Sequence, residues 1–351
     1  MYDIKSMDRA TLGKVFRKEG LESFRAAQVF RWLWRGARSY SAMTDLPKSL
    51  RETLERQAPF APPELLRRQS TGDGTEKFLW KLSDGNAVET VLMRYKHGVS
   101  ACISSQVGCR MGCRFCASAD GGLVRGLLPS EMLDQVLFSG IEAGVRVSNV
   151  VLMGIGEPLD NLDNVLAFLA ILNDPEGLNI GMRHVSLSTC GIQGGIERLM
   201  EENLQLTLSV SLHAPDDETR SQLMPANRAL GVEPLIRLCR RYFERTGRRI
   251  SFEYALIDGV NDSDAAAEKL SRLIRGMPAH VNLIPLNTVE GTGLAASPPA
   301  RVRGFQERLR ALGVNATVRR KMGAEIDAAC GQLRRRAGGE TEKARQKPRR
   351  G

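Results

Sequence analysis

No run in this 351-residue chain is long and apolar enough to cross a bilayer. The opening segment, Met1–Phe16, also lacks the apolar core of a secretory signal. Both absences argue against membrane insertion and export, and the expected location is the cytoplasm. Cysteine is sparse, seven residues in all, which excludes a disulfide framework for a chain of this length. Aromatic residues make up only 5%. Phe24, Phe30, Trp32 and Trp34 are assigned to a core or interface rather than to a base-stacking platform.

What is present points to a sizeable soluble protein. Hydrophobic residues supply 42% of the chain, enough for a substantial core, and the length allows one large domain plus a smaller one. Net charge is +10, and much of it sits at one end: Arg334–Gly351 holds eight Lys or Arg against two Glu. That stretch contains Gly-Gly and Pro and no large apolar side chain, so it reads as a disordered tail, either solubilising or in contact with a polyanion. A second basic stretch, Arg237 to Arg249, reads as the solvated face of a helix and its exit turn. The charge balance is compatible with RNA binding and does not establish it.

The most specific local feature is a trio of cysteines, Cys109, Cys113 and Cys116, in the spacing C-x3-C-x2-C. Thiolates this close in sequence can converge on one small inorganic centre. A four-iron cluster held by three thiolates keeps one iron open to a substrate or cofactor. A closed zinc site needs a fourth protein ligand nearby, yet the next His or Cys along the chain is His184. The spacing favours a chemically active iron–sulfur centre, with unrelated loop thiols as the alternative. His97, His184 and His280 read as structural or incidental, Cys190 as a packing residue, and Cys239 as a core residue of its Arg-rich helix.

Periodicity divides the chain. Residues 8–20, 23–36 and 47–57 have helical spacing, with Asp45 and Pro47 marking the start of the third helix. Residues 75–82 and 87–95 are strand-like, joined through the turn Ser83–Asn86. Beyond residue 100, strand-like segments at 101–106, 149–155, 185–190, 205–213, 250–257, 281–287 and 315–320 alternate with helical ones at 129–143, 162–172, 193–202, 232–245, 263–275 and 299–312. Such alternation implies a parallel sheet with right-handed crossovers. The strands are too few for a full eight-fold barrel. The expected fold is α/β, a six-stranded partial barrel with an extra strand, preceded by a small helical module and a β-hairpin. Its expected divisions are residues 1–95, 96–333 and the tail 334–351.

In such sheets, chemistry gathers at the carboxyl ends of strands. The cysteine loop follows the first barrel strand. Gly154–Pro158, Ser188–Gly191, Ser211–His213 and Asn287 fall at the ends of later ones.

Several linked segments together resemble the radical S-adenosylmethionine (SAM) methyltransferases of the RlmN/Cfr family. They are Phe24–Gln28, Val88–Thr90, Cys102–Cys109, Gly154–Leu159, Ser211–Ala214, Leu223–Pro225, Val281–Pro285 and Asp327–Leu333. The resemblance runs from about residue 20 to Leu333. It implies a radical-SAM barrel in which Cys109, Cys113 and Cys116 ligate a [4Fe–4S] cluster. SAM contacts would come from Gly156, Glu157, Ser188, Ser211, Leu212, His213 and Asn287. It further implies that Cys330 is methylated by a first SAM and loses a hydrogen to the 5′-deoxyadenosyl radical from a second. Cys102 would be the resolving thiol that closes a transient disulfide with Cys330, and Glu89 the proton acceptor. On its own residues, Glu89 reads as an exposed strand carboxylate.

The function this resemblance implies is methylation of adenosine C2 in 23S rRNA, near the peptidyl transferase centre, and in tRNA beside the anticodon. It carries with it an electron donor such as flavodoxin and its reductase, and a monomer without membrane attachment. The alternative is Cfr-type methylation of C8; the run Gly156-Glu157-Pro158 leans toward the C2 branch. A non-catalytic iron–sulfur RNA-binding protein would not need Cys102, Cys330 and Glu89 together, and a glycyl-radical activating enzyme leaves Cys330 unexplained.

Overall fold

The computed structural model describes residues 2–119, 121–287 and 292–320. Cys330, the segment Asp327–Leu333 and the basic tail from Arg334 lie outside these residues. The chain opens with three helices, α1 (Arg9–Lys18), α2 (Ser23–Trp34) and α3 (Lys48–Gln57). Asp8 caps α1 by accepting from the Thr11 N–H at 2.7 Å. Leu12, Phe16, Val29, Phe30 and Leu33 fill the space between the helices.

Four strands follow: β1 (Glu64–Ser70), β2 (Glu76–Lys81), β3 (Ala87–Tyr95) and β4 (Gly98–Cys102). Next come a small antiparallel pair, β5 (Gln106–Gly108) and β6 (Leu123–Gly126), and then the alternating half. That half runs α4 (Pro129–Ala143), β7 (Val147–Leu152), α5 (Leu162–Asn173), β8 (Val185–Thr189), α6 (Gln193–Glu201), β9 (Thr207–Ser211), α7 (Asp217–Leu223), α8 (Val232–Thr246), β10 (Ile250–Leu256), α9 (Asp264–Ile274), β11 (Ala279–Pro285), α10 (Pro299–Ala311) and β12 (Ala316–Val318).

Ten strands form one sheet in the order β1-β2-β3-β4-β7-β8-β9-β10-β11-β12. From β4 to β12 every pairing is parallel, giving the six strands and one extra that the sequence predicts. β1 to β4 are antiparallel and extend that same sheet, so the hairpin does not stand apart from it.

Parallel strands covered on both faces are apolar throughout. Here they alternate instead. Val185, Leu187, Leu208, Val210, Phe252, Tyr254, Val281 and Leu283 are buried in the main core with the helices. Ser186, Ser188, Thr207, Ser209, Ser211, Ser251, Glu253 and Asn282 take the positions between them and therefore point to the other face. The register carries that second face across the antiparallel part as well. One row runs Lys77, Val91, Cys102, Val151, Ser186, Thr207.

The helices show the complementary pattern. On α8, Val232, Leu235, Ile236, Cys239 and Tyr242 are buried, and Arg237 and Arg241 are left toward solvent, so the basic stretch is a solvated face with Cys239 on its core side. Gly247, at φ +66°, ends α8 in the left-handed conformation.

Several local expectations are corrected. Of the two places expected for Phe24, core or interface, the core is ruled out: it is 53% exposed, with the Arg25 guanidinium over its ring. α3 begins directly after Pro47 as expected, while the Asp45 carboxylate accepts from Trp32 and Gln28 on α2. The first barrel strand stops at Cys102 rather than at residue 106. β1, the β5–β6 pair and α7 are additions to the expected elements. β1 is an edge strand with the charged run Arg67-Arg68 and a bulge, features that hide a strand from alternation rules.

The N-terminal segment is anchored to α4 by charge. Ser6 Oγ accepts from the Ser130 N–H, and Asp3 accepts from Ser130 Oγ, at the first turn of α4. Next to them the buried Lys5 ammonium pairs with Asp134 and lies 5.3–5.8 Å from the ring centres of Trp34, Phe60 and Phe138. Burial lifts the Asp134 carboxyl to about 6 even though Lys5 opposes the shift. Removing one partner of a buried pair leaves the other charge stranded. Lys5→Met should therefore lower the unfolding free energy by about 3–5 kcal/mol in denaturant titration, and Lys5→Met/Asp134→Leu should recover most of it. A single variant as stable as wild type would show that this pair does not anchor the segment.

Candidate functional site

The cysteine loop is built by backbone pairing on both sides. Cys109 N–H donates to Gly122 O at 3.0 Å, Cys116 N–H to Cys113 O at 3.1 Å, and Arg114 N–H to Leu223 O at 3.0 Å. Met111, Cys113 and Phe115 pack against a small cluster of Cys190, Leu223, Met224, Ile257 and Leu286, separate from the main core. All three cysteines are half-buried. Burial, followed by the neighbouring thiols, pushes Cys113 up to about 12; burial also lifts Cys109 to about 11. Two buried thiols that resist ionisation, with Cys116 beside them, suit a strongly cationic centre that would stabilise thiolates.

Among the described residues no three His, Cys, Asp or Glu are grouped to hold a single metal ion. A four-iron cluster makes a different demand, because each cysteine binds its own iron. The donor set therefore fits a cluster better than a mononuclear site.

The turn beyond β7 contributes Glu157. Its Oε1 accepts from the Leu159 N–H at 3.1 Å and its Oε2 from the Cys190 N–H at 2.8 Å, while its own N–H donates to Gln106 Oε1. The carboxylate is buried, and desolvation raises its pKa. Gly156 has φ +108°, and a Cβ there would lie 2.8 Å from the Gln106 backbone nitrogen. The glycine is thus required by the close approach of β5 as well as by any ligand.

Ser188 and Ser211 are partly exposed on the second face, at the ends of β8 and β9. Leu212 is buried. His213 adopts φ +58°, rare for a residue with a side chain. Its Nδ1 accepts from the Ala255 N–H at 2.8 Å, and its ring meets Phe115 edge-on at 4.7 Å. Burial, then Arg220, depresses its pKa to about 3, so the imidazole is neutral and Nε2 carries the proton. Asn287, two residues beyond β11, is exposed.

Glu89 and Cys102 come from the antiparallel part. Cys102 sits opposite Val91 on the second face, in a small cluster with Val91 and Met93, and is 5% exposed. Glu89 lies two residues from Val91 on the same face. It is not an exposed strand carboxylate: it is buried and paired with the Lys77 ammonium at 3.0 Å. Sequence reasoning missed Lys77, although its position between the core residues' partners on β2 was a usable signal. It also missed Arg220, whose helix is signalled only by the capping pair Asp216 and Thr219.

A mostly parallel sheet with a cysteine loop after its first parallel strand defines a radical SAM enzyme, and residues 103–270 match the radical SAM superfamily. Residues 2–59 match the ribosomal RNA large subunit methyltransferase N-terminal domain. The chain is 48% identical over 336 residues to a probable dual-specificity RNA methyltransferase RlmN of Clostridium acetobutylicum, covering 95% of this chain and 97% of that one. The corresponding protein of Pelotomaculum thermopropionicum is 50% identical over 337 residues, at 95% and 92% coverage. A crystal structure of a radical SAM methyltransferase from Sphaerobacter thermophilus superposes with TM-score 0.90 at 45% identity, covering 95% of this chain and 99% of that one. The chain belongs to the RlmN family of radical SAM methyltransferases. It is a methyl-transferring enzyme of the class that uses a [4Fe–4S] cluster and SAM. No described helix is long and apolar enough to cross a membrane.

The depressed His213 value has a direct consequence for stability. Its contribution to folding is complete above the unfolded value of 6.5 and is lost as pH falls toward 3. The drop in unfolding free energy between about pH 7 and about pH 4 should be smaller in His213→Gln than in wild type. An equal drop would assign the acid sensitivity to other groups.

Proposed function

We propose that this enzyme methylates C2 of adenosine in 23S rRNA, in the peptidyl transferase region, and in tRNA at the position 3′ of the anticodon. The observation that carries this reading is the shared face of the sheet. Glu89 and Cys102 stand on the same face as Ser188 and Ser211, beside the rim that carries the cysteine loop and Glu157. The names of the relatives, dual-specificity RNA methyltransferases, supply the substrate class.

The chemistry requires an indirect route. C2 of adenine is electron-poor and has no lone pair with which to attack the methyl group of SAM. When bound, the cluster and SAM supply a carbon-centred radical able to remove hydrogen from an unactivated methyl group. Cys109, Cys113 and Cys116 would hold the cluster. Glu157, with Gly156, would face the SAM amino group, and Ser188, Ser211, Leu212, His213 and Asn287 would contact the rest. With Nδ1 occupied, His213 can offer that ligand only a donor at Nε2.

Cys330 would carry the methyl group to the base. Glu89, next to the Lys77 ammonium, would take the ring proton at release. Once the adduct has passed its unpaired electron to a one-electron acceptor, the Cys102 thiolate would attack the Cys330 sulfur; the carbon–sulfur bond breaks with its electron pair going to carbon, which takes a proton to become the methyl group, the methylated base leaves, and a disulfide remains for two-electron reduction. A donor such as flavodoxin with its reductase fits both electron demands. Residues 1–95 are assigned to RNA contact apart from Glu89, 96–333 with Glu89 to the chemistry and 334–351 to auxiliary phosphate attraction, in a monomer acting in the cytoplasm. Extruding a stacked adenine costs a few kcal/mol, which phosphate contacts offset in a salt-dependent way.

Anaerobic reaction of reconstituted enzyme with SAM, a reductant and each RNA, followed by nucleoside mass spectrometry, should yield 2-methyladenosine from both. 8-Methyladenosine would move the enzyme to the Cfr-type reaction, and no methylated adenosine would refute the substrate assignment. Cys330→Ala should abolish methyl transfer. Cys102→Ala should accumulate a covalent enzyme–RNA adduct visible on a denaturing gel; free methylated RNA at the normal rate would sink the resolving role.

A further inference from the structure

Arg220, on α7, is fully buried. All of its donors are used: Nε to Leu212 O at 3.0 Å, Nη1 to Asn227 Oδ1 at 2.8 Å and Leu230 O at 3.5 Å, Nη2 to Cys190 O at 2.7 Å and Ser211 O at 3.0 Å. None of these acceptors is a carboxylate, and among the described residues Arg220 forms no ion pair with Asp or Glu. Asp217 is one side chain removed: its Oδ1 accepts from Asn227 Nδ2 at 2.9 Å. A buried guanidinium without a counter-charge is costly, so a negative partner is expected close by.

Its surroundings indicate which partner. The carbonyls it gathers end β8 and β9, where Ser211 and Leu212 lie. Cys190, which gives Arg220 its carbonyl, gives its N–H to Glu157 and places its sulfur 3.4 Å from Met111 in the cysteine loop. The same helix ends at Leu223, whose carbonyl holds the Arg114 N–H between Cys113 and Cys116. We propose that Arg220 is a positioning residue that ties the ends of β8 and β9 to the cysteine loop and sets a fixed positive charge beside the cluster, favouring its reduced form.

The inference rests on the reading that Cys109, Cys113 and Cys116 hold a [4Fe–4S] cluster. Three thiolates on such a core leave it net negative, and adding an electron makes it more so. Net charge and hydrogen bonding are the levers that set the potential of such centres, and a fixed cation acts strongly where water is excluded.

The test uses the full chain, reconstituted with iron and sulfide, and reads the cluster midpoint potential by EPR-monitored redox titration. Arg220→Lys keeps the charge and loses the five-donor fork; Arg220→Met loses both. Arg220→Gln loses the charge but keeps part of the hydrogen bonding, which keeps the test alive if Arg220→Met does not fold. Arg220→Met and Arg220→Gln should each make one-electron reduction about tenfold less favourable, a shift of about 59 mV to more negative potential, while Arg220→Lys stays near wild type. Cluster-loaded variants with the wild-type potential, or a Lys variant shifted as far as the Met variant, would overturn the proposal. A wild-type chain that takes up no iron would instead refute the cluster reading beneath it.

Discussion

Period-two alternation along the parallel strands is the constraint on which the rest of the structure depends. Leucine, valine and aromatic residues commit one face of the sheet to the helices, and serine, threonine, asparagine and glutamate keep the other face from closing into a second apolar layer. Each strand end can then present polar groups to a ligand without breaking the core. A shift of one residue in any pairing would send its serines into the helices and its leucines into the site. The same register reaches into the antiparallel strands, which is why Glu89 and Cys102 share a face with Ser186 and Ser188.

Buried charge is the second organising feature. Lys77 with Glu89 and Lys5 with Asp134 are paired directly. Glu157 and Arg220 are satisfied by backbone groups and not by each other, although Cys190 bridges them through its N–H and its carbonyl. The first two arrangements neutralise themselves and hold elements together. The latter two leave a buried carboxyl and a buried guanidinium held beside the cysteine loop. In the low dielectric of a buried rim such fixed charges act at full strength.

Much of this was legible in the chain. The cysteine spacing, the glycine turn at Gly154–Pro158, the strand–helix alternation and the extra strand all follow from local pattern, because each depends on residues a few positions apart. Edge strand β1 was not legible: its Arg67-Arg68 run and bulge suit a sheet margin but mimic a loop. Helix α7 is only seven residues long, and its reason for existing is the buried Arg220, whose acceptors lie between seven and thirty residues away. Phe24 could be read only as core or interface, because helical spacing cannot tell which side of a terminal turn finds a partner.

The sequence alone determined the class of chemistry and the order of elements, since thiolate spacing and hydrophobic period are local properties. Tertiary structure decided the electrostatics. Whether Glu89 is an exposed carboxylate or half of a buried pair, whether His213 titrates near neutrality or stays neutral, and whether Arg220 is a surface charge or an interior one all depend on groups brought together from distant strands. Desolvation and pairing are set by three-dimensional neighbours, and no local pattern encodes them.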